Sequence, residues 1–220
     1  VEGYTQGTLN ARPDMRIVRE TPSTANIDAD RGLAVILGPK AMQIAIDKAK
    51  NVGIGVVTMS NAGHSGAIGH HAMLAAEQGM VGVTMTSGGL LVVPTYGAEP
   101  RLGTNPIAFA APAKSEPALL FDVATSAVAG NKLRLAERVG ADMLPGWIAG
   151  MDGDPVMEEV TLPERGQYFQ LPFGGTRDQG SHKGYGFGLM SEVMSTMLSG
   201  DLPGMIEGVP RSSHHYFAAY

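Results

Sequence analysis

The sequence predicts an α+β fold, in which a mixed and mostly antiparallel sheet is flanked by helices. Segments with a helical apolar period intermingle with short β-rich apolar runs along the 220-residue chain. Several of these runs are joined by connections that are too short to hold a crossover helix, so the neighbouring strands must pair antiparallel. A chain of this length can bury a sizeable core in one large domain or two small ones.

Four helices are expected, either from an apolar face or from an Ala- or Met-rich run without proline. The first opens at the Gly38-Pro39 step, because proline is favoured at the first helical position, and it ends before Gly53. The others cover residues 67–78, 126–139 and 183–198.

The short β-rich runs predict strands at residues 15–20, 53–59, 80–86, 104–110 and 118–123, with a short strand and turn at 92–97. Residues 140–181 are rich in Gly, Pro and Asp and predict loops with weak strands. Residues 215–220 resemble the middle of a strand, and the first residue is Val1. We therefore expect that flanking sequence is absent at both ends.

Composition narrows the function classes. The formal net charge is −5 and there is no basic run, which disfavours binding to nucleic acid or to an anionic membrane. The absence of cysteine excludes disulfides, a thiolate nucleophile and a zinc ribbon. No apolar stretch approaches the roughly 18–20 residues of a membrane span, and no signal pattern opens the sequence. We expect a cytoplasmic protein.

The turn at residues 60–71 carries the most informative pattern. Its glycines at 63, 66 and 69 let backbone or a ligand approach closely. His64 is expected at or just before the next helix, whose dipole disfavours the imidazolium form. A neutral imidazole can accept a proton as a general base. The alternative is that His64 caps the turn or fills a polar niche.

Two other residues suit a nucleotide. Asp122 ends an apolar strand, where a carboxylate can accept both ribose hydroxyls and repel a 2′-phosphate. Capping of the helix at 126–139 accounts for Asp122 equally well. Lys183 follows a glycine-rich approach to a helix and suits a phosphate or a substrate oxyanion. A lysine at a helix N-terminus is otherwise unfavourable, which favours a functional role.

Several common signatures are absent. A G-x-G-x-x-G dinucleotide fingerprint would begin at Gly53-x-Gly55, but Thr58 stands where its third glycine is required. Neither a phosphate-loop pattern nor a G-x-S-x-G nucleophile elbow occurs in the sequence. The glycine series at 63, 66 and 69 is only a weak phosphate signal by itself. The six histidines show no metal-ligand spacing, so we predict no metal site.

A set of motifs extends over nearly the whole chain. The stretches, in order, are Ser60-Asn61…His64-x-Gly66…Gly69, Pro94-x-x-Gly97-x-x-Pro100-x-Leu102-Gly103-Thr104-Asn105-Pro106, Asp122-x-Ala124-Thr125-Ser126 and His182-Lys183-Gly184-Tyr185-Gly186. Together they resemble the type-2 malate/L-lactate dehydrogenase family, whose members reduce 2-oxo acids or imines with NAD(P)H. The combination of Gly-Thr-Asn-Pro with Lys-Gly-Tyr-Gly is the most specific part of the resemblance.

The resemblance implies a homodimer with a non-Rossmann nucleotide-binding fold. We expect residues 61–180 to form the nucleotide-binding region, and residues 1–60 and 181–220 to belong to a larger domain. The resemblance assigns His64 as the active-site histidine. The cofactor-binding residues it implies are Ser87, Asp122, Val123, Ala124, His182 and Lys183.

The activity implied is hydride exchange between NAD, or alternatively NADP, and a small 2-hydroxy or 2-oxo acid. Ureidoglycolate, sulfolactate or a cyclic imine are alternative substrates within the same family, and a non-catalytic nucleotide-binding protein is an alternative outside it. The family also carries a Ser-His-Gly-x-x-Arg motif, with a proposed proton donor and a carboxylate-binding arginine. Residues 1–40 contain no match to that motif.

Overall fold

A computed structural model describes residues 2–208 and 212–220. The helices are α1 (Glu2–Thr5), α2 (Ala34–Val52), α3 (Gly69–Ala76), α4 (Gly130–Val139) and α5 (Ser181–Ser195), and a short 3₁₀ turn covers Met197–Ser199. The strands are β1 (Arg16–Glu20), β2 (Thr24–Asp28), β3 (Gly55–Ala62), β4 (Gly82–Ser87), β5 (Ile107–Ala111), β6 (Leu119–Val123), β7 (Asp142–Met143), β8 (Ile148–Ala149), β9 (Val160–Thr161), β10 (Phe169–Gln170) and β11 (Ser213–Ala219). No helix in these ranges is long and apolar enough to cross a membrane.

Seven of the described strands form one sheet in the order β1-β2-β3-β11-β4-β5-β6. The β2–β3 pair is parallel, and the five other pairs of this sheet are antiparallel. The predicted mixed, mostly antiparallel sheet is therefore confirmed. The strand order is not that of the doubly wound parallel sheet of a Rossmann fold.

The centre of the sheet is β11, which pairs antiparallel with both β3 and β4. Its side chains alternate between the two faces of the sheet, as in any strand. Phe217 and Ala219 join the core cluster under α2, whereas Tyr216 and Ala218 pack with Met194 of α5 on the opposite face. Helices therefore cover both faces of the sheet.

Glycine lets the helices lie directly on the strands. A Cβ at Gly55 would be 1.8 Å from the carbonyl oxygen of Ala45 in α2. A Cβ at Gly82 would be 2.1 Å from the carbonyl oxygen of Ala72 in α3. Only glycine permits this separation of backbones at either position.

Helix α2 begins earlier than predicted, at Ala34 rather than at Gly38-Pro39. Pro39 lies inside the helix, although a proline there removes one backbone hydrogen bond. Ala34 and Leu37 in the added turn are buried in the core. Tertiary packing thus outweighs the local preference of proline for a helix start. The predicted end at Gly53 is confirmed, since Gly53 caps the helix in the left-handed conformation.

Helix α4 is shorter than predicted, because it begins at Gly130 instead of Ser126. Ser126 forms a β-bridge with Pro172, and the Ala127 N–H donates to the carbonyl of Leu171. This pairing with a distant segment holds residues 126–127 extended and prevents a helical turn there.

One edge of the sheet collects the ends of several strands. Because β2, β3, β4 and β6 run in the same direction, their carboxyl ends lie at the same edge. Four strand spacings separate β3 from β6, or about 19 Å at the usual separation. The chain after β3 carries His64, and the end of β6 carries Asp122.

Candidate active site

His64 lies in the irregular segment between β3 and α3, and its side chain is exposed. The prediction that it lies at a helix N-terminus is wrong, because α3 begins at Gly69 and its N-cap is Ile68. The field of a helix dipole falls off within the first turn. The dipole of α3 therefore does not act on the His64 ring.

A hydrogen bond within the turn orients the His64 ring. The Gly66 N–H donates to Nδ1 of His64 at 2.9 Å. An amide N–H can only donate, so Nδ1 carries a lone pair and the neutral ring holds its proton on Nε2. Gly66 has φ +71°, which glycine adopts readily. Among the described residues, Nε2 of His64 has no hydrogen-bond partner.

Asp122, at the end of β6, contacts the segment that joins the His64 turn to α3. Its Oδ2 accepts the Gly69 N–H at 2.7 Å, so the carboxylate caps the start of α3 rather than that of α4. The Asp122 side chain is exposed, and Oδ1 is free of hydrogen bonds to the described residues.

Val123 and Ala124 follow Asp122 and are half-buried at the same edge. Val123 is the last residue of β6 and pairs with Ile107. Together with Asp122 they bring the predicted nucleotide segment to the edge that also carries His64.

Ser87 ends β4 at this edge, but its side chain is fully buried. Its hydroxyl lies 2.6 Å from that of Thr196, just after α5. The Thr196 hydroxyl in turn donates to Glu192 at 2.8 Å. The cofactor contact of Ser87 stays a prediction, and in this structure its hydroxyl belongs to a buried network.

Lys183 and His182 lie in the first turn of α5, and both side chains are exposed. Nδ1 of His182 accepts a hydrogen bond from Arg177 at 2.9 Å. Lys183 forms no ion pair within the described part of the chain. The helix contacts the His64 edge at Ser191, whose hydroxyl donates to the Thr86 carbonyl. Lys183 is about 12 Å from Ser191 along the helix. The cofactor candidates Lys183 and His182 therefore lie apart from the other predicted cofactor residues.

A cavity of about 360 Å³ opens beside the start of α5. Its lining includes Thr95 and Ser181, whose hydroxyls are 2.8 Å apart, together with Arg177. The carboxylates of Asp152, Asp154 and Asp178 also line it, so its charge is mixed. The cavity borders the helix turn that carries Lys183.

Within residues 2–208 and 212–220, no group of three or more His, Asp or Glu side chains is arranged to hold a metal ion. His214 lies 2.8 Å from the Asp201 carboxylate and 3.4 Å from the Ser212 hydroxyl. Both contacts use Nε2 of His214. A catalytic triad needs a different ring nitrogen for each partner, so these three residues do not form one.

Sequence reasoning considered His71 and His215 only as possible metal ligands. Both are 1% exposed and lie directly behind the His64 turn. Burial lowers the pKa of His215 from 6.5 to about 3, and it lowers the pKa of His71 as well. The alternation of β11 pointed His215 and Phe217 to the same face, but only the fold shows which turn that face meets.

Similarity to known proteins agrees with the motifs. A family model of malate/L-lactate dehydrogenases matches residues 1–218. The chain is 45% identical over 201 residues to a malate dehydrogenase of Pyrococcus horikoshii, covering 91% of this chain and 55% of that protein. It is 39% identical over 202 residues to an L-sulfolactate dehydrogenase of Methanocaldococcus jannaschii, covering 92% and 56%.

A solved structure of the Pyrococcus horikoshii malate dehydrogenase aligns with a TM-score of 0.83 and 37% identity, covering 99% of this chain and 60% of that one. The chain spans about half the length of the curated relatives it matches. Sequence and fold agree over nearly all of its residues, and the chain belongs to the malate/L-lactate dehydrogenase family.

Proposed function

We propose that this protein takes part in hydride transfer between NAD and C2 of a small 2-hydroxy acid. The observation that carries the proposal is the meeting of the His64 turn and the Asp122 segment at one sheet edge, linked through Gly69, in a chain of this family. In the oxidative direction the acid loses a hydride from C2, and its hydroxyl proton passes to water at the exposed His64 turn, which leaves the 2-oxo acid. When bound, the nicotinamide supplies or accepts the hydride.

His64 acts on the substrate oxygen. Because Nδ1 accepts the Gly66 N–H, the free Nε2–H is a hydrogen-bond donor. In the reductive direction this donor polarises the C2 carbonyl and stabilises the charge that develops on its oxygen. The role of general base at Nε2 requires the Gly66 bond to break first, so we favour the donor role for the resting turn.

The remaining candidates hold the cofactor. Oδ1 of Asp122 and its exposed position fit the acceptance of ribose hydroxyls, and the charge of Asp122 disfavours a 2′-phosphate. Lys183, which has no ion-pair partner among the described residues, supplies a cation beside the cavity at the start of α5 and suits the pyrophosphate. Val123, Ala124, Ser87 and His182 complete the proposed cofactor contacts. We further propose that the working protein is a cytoplasmic homodimer.

Malate is the proposed substrate, because a relative at 45% identity is named a malate dehydrogenase. Sulfolactate is the second candidate, since the relative at 39% identity is named for it. Turnover of malate, sulfolactate, lactate and ureidoglycolate by the protein, with NAD and with NADP, discriminates between them. Binding of NADH without turnover of any of these acids would favour a non-catalytic nucleotide-binding protein.

The histidine is tested with His64→Ala and with the control His70→Ala, which removes another exposed imidazole. We expect His64→Ala to lower kcat by about 10²–10³-fold, the usual effect of removing one donor to a developing oxyanion. NADH affinity, measured by nicotinamide fluorescence, stays unchanged in both variants. Unchanged turnover in His64→Ala would refute the assigned role.

The cofactor residues are tested through affinity. Lys183→Ala is expected to weaken NADH binding, whereas Lys40→Ala, which removes an exposed lysine of α2, leaves it unchanged. Asp122→Ala is expected to reduce the preference for NADH over NADPH in fluorescence titrations. The assignment of Lys183 would be contradicted if Lys183→Ala bound NADH as tightly as the wild type does. The assignment of Asp122 would be contradicted if the wild-type protein preferred NADPH.

A further inference from the structure

The backbone of the His64 turn is held by three different elements of the fold. The carbonyl oxygens of residues 63, 64 and 65 each accept a hydrogen bond from a different strand or helix. Their donors, in the same order, are Nε2 of His215 on β11 (3.1 Å), the N–H of Val35 on α2 (3.1 Å) and Nε2 of His71 on α3 (3.2 Å). Two buried imidazoles therefore bind the carbonyls on either side of His64.

The direction of each hydrogen bond around His215 is fixed. The Gly63 carbonyl can only accept, so Nε2 of His215 must carry a proton. Because burial keeps this ring neutral, Nδ1 is unprotonated and accepts the Thr86 hydroxyl at 2.9 Å. The Thr86 oxygen can then accept the Ser65 hydroxyl at 3.2 Å. This chain of bonds begins and ends in the same turn.

The second ring has a single polar function. Nε2 of His71 donates to the Ser65 carbonyl, while Nδ1 is buried with no partner among the described residues. An apolar side chain would fill this space without leaving a polar atom unsatisfied. The bond to Ser65 is thus what the imidazole adds. Gly38 in α2 leaves room for the ring, since a Cβ there would be 2.7 Å from Cε1 and Nε2 of His71.

We infer that His71 and His215 are positioning residues which, through the carbonyls of Ser65 and Gly63, hold the turn in the form where Nδ1 of His64 accepts the Gly66 N–H. The turn then presents one tautomer of His64, with its proton on Nε2. The inference deepens the proposed function and rests on it for its catalytic consequence, but the tautomer itself is a property of the free protein. Displacement of a reacting group by about 1 Å can cost about 10²-fold in rate.

The test uses matched variants of the full chain. His71→Leu and His215→Leu remove the donors, whereas His71→Gln and His215→Gln retain an N–H donor at nearly the same reach. Gly38→Ala displaces the ring of His71 without removing it. His70→Gln, on the exposed neighbour of His71, is the control. Near-UV circular dichroism verifies that each variant is folded, and if His215→Leu does not fold, the Gln and Gly38 variants carry the test.

The first readout requires neither cofactor nor substrate. Imidazole ¹⁵N shifts of labelled histidine report which nitrogen of His64 is protonated. We expect the wild type, the Gln variants and the control to show the Nε2–H tautomer of His64. The Leu variants and Gly38→Ala are expected to show a mixture of tautomers.

The second readout is kinetic. We expect kcat with malate to fall about 10- to 100-fold in the Leu variants and in Gly38→Ala, with KM for NAD unchanged and with most of the activity recovered in the Gln variants. If His71 and His215 had a merely structural role, their replacement would change stability. It would not lower kcat while leaving KM for NAD unchanged, and Gln would not restore the activity. A single Nε2–H tautomer and wild-type kcat in folded His71→Leu and Gly38→Ala would overturn the inference.

The two proposals fail separately. If His64→Ala retains full turnover, the function proposed for His64 is wrong, and the ¹⁵N shifts still decide whether the buried rings set its tautomer. If His64→Ala is inactive while the variants behind the turn keep its tautomer and rate, only the positioning role is wrong.

Discussion

His215 contributes to the turn as a neutral ring, and this neutrality links protein stability to pH. Burial, together with the nearby His214, His71 and His64, lowers its pKa to about 3. In the unfolded chain the same ring titrates near 6.5. Between these two values the unfolded state binds more protons than the folded one, so stability falls as pH falls.

Comparison of the wild type with His215→Gln isolates this effect. Each such histidine contributes a slope of up to about 1.4 kcal/mol per pH unit between its two pKa values. We expect the free energy of unfolding of the wild type to fall more steeply below about pH 6.5 than that of the variant, although the variant is less stable at pH 7. Urea titrations at several pH values measure both slopes. Parallel curves would show that His215 has the same pKa in the folded and unfolded states, and would contradict the lowered value.

The sequence predicts the His64 turn well at this scale, because local glycines and a preceding apolar run define it. The partner of the turn could not be found in the same way. His215 contacts the turn partly through Thr86, which hydrogen-bonds to it from 129 residues earlier in the chain. No local sequence pattern encodes a pairing over such a distance. The dipole argument for a neutral His64 was wrong, since the helix begins five residues later than the ring.

At the scale of elements, a strand end caps a helix. The Asp122 carboxylate at the end of β6 accepts the first N–H of α3, and Gly69 allows a close approach, since a Cβ there would be 2.8 Å from Oδ2. The sequence offered two roles for Asp122, ribose binding and capping of α4. The observed cap belongs to a helix about 50 residues earlier in the chain, which only the tertiary fold specifies.

Asp122→Ala is expected to lower the free energy of unfolding by about 0.5–2 kcal/mol, as loss of a helix cap usually does. Asp178→Ala, which removes an exposed carboxylate that makes no hydrogen bond to the described residues, serves as the control and should leave stability nearly unchanged. Chemical denaturation measures both variants. Equal stability of the two would mean that the Gly69 N–H finds an adequate partner in water.

Contact between helix and strand through glycine gives a second prediction. Gly55→Ala is expected to destabilise the fold by about 1–3 kcal/mol or more, because its Cβ overlaps the Ala45 carbonyl in the middle of α2. Gly204→Ala, at a position with open space around it, is the control. Thermal unfolding that shifts equally in both variants would indicate that α2 can move away without cost.

At the scale of the whole molecule, β11 joins the two parts of the sheet. It pairs through backbone hydrogen bonds with both β3 and β4, and Phe217 within it is 1% exposed. The sequence predicted a strand here, but its place between β3 and β4 depends on pairings over more than a hundred residues. The sheet contains strands from all three of the expected segments, residues 1–60, 61–180 and 181–220. The division of the chain into domains along these segments stays a prediction.

Hydrogen exchange should follow this order of strands. Amides of β11, β3 and β4 are expected to exchange last, at rates set by global unfolding, because both of their neighbours must open together. Amides of the edge strands β1 and β6 should exchange earlier through local opening. Mass spectrometry of peptic fragments resolves these segments, and early exchange in residues 213–219 would contradict a central role for β11.

The late position of β11 has a consequence for synthesis on the ribosome. Strands β3 and β4 leave the ribosome long before the residues that will lie between them. During that interval each exposes an unpaired backbone edge, of the kind that invites pairing with other chains. The newborn protein must therefore keep the place between β3 and β4 open until residues 213–219 have been synthesised.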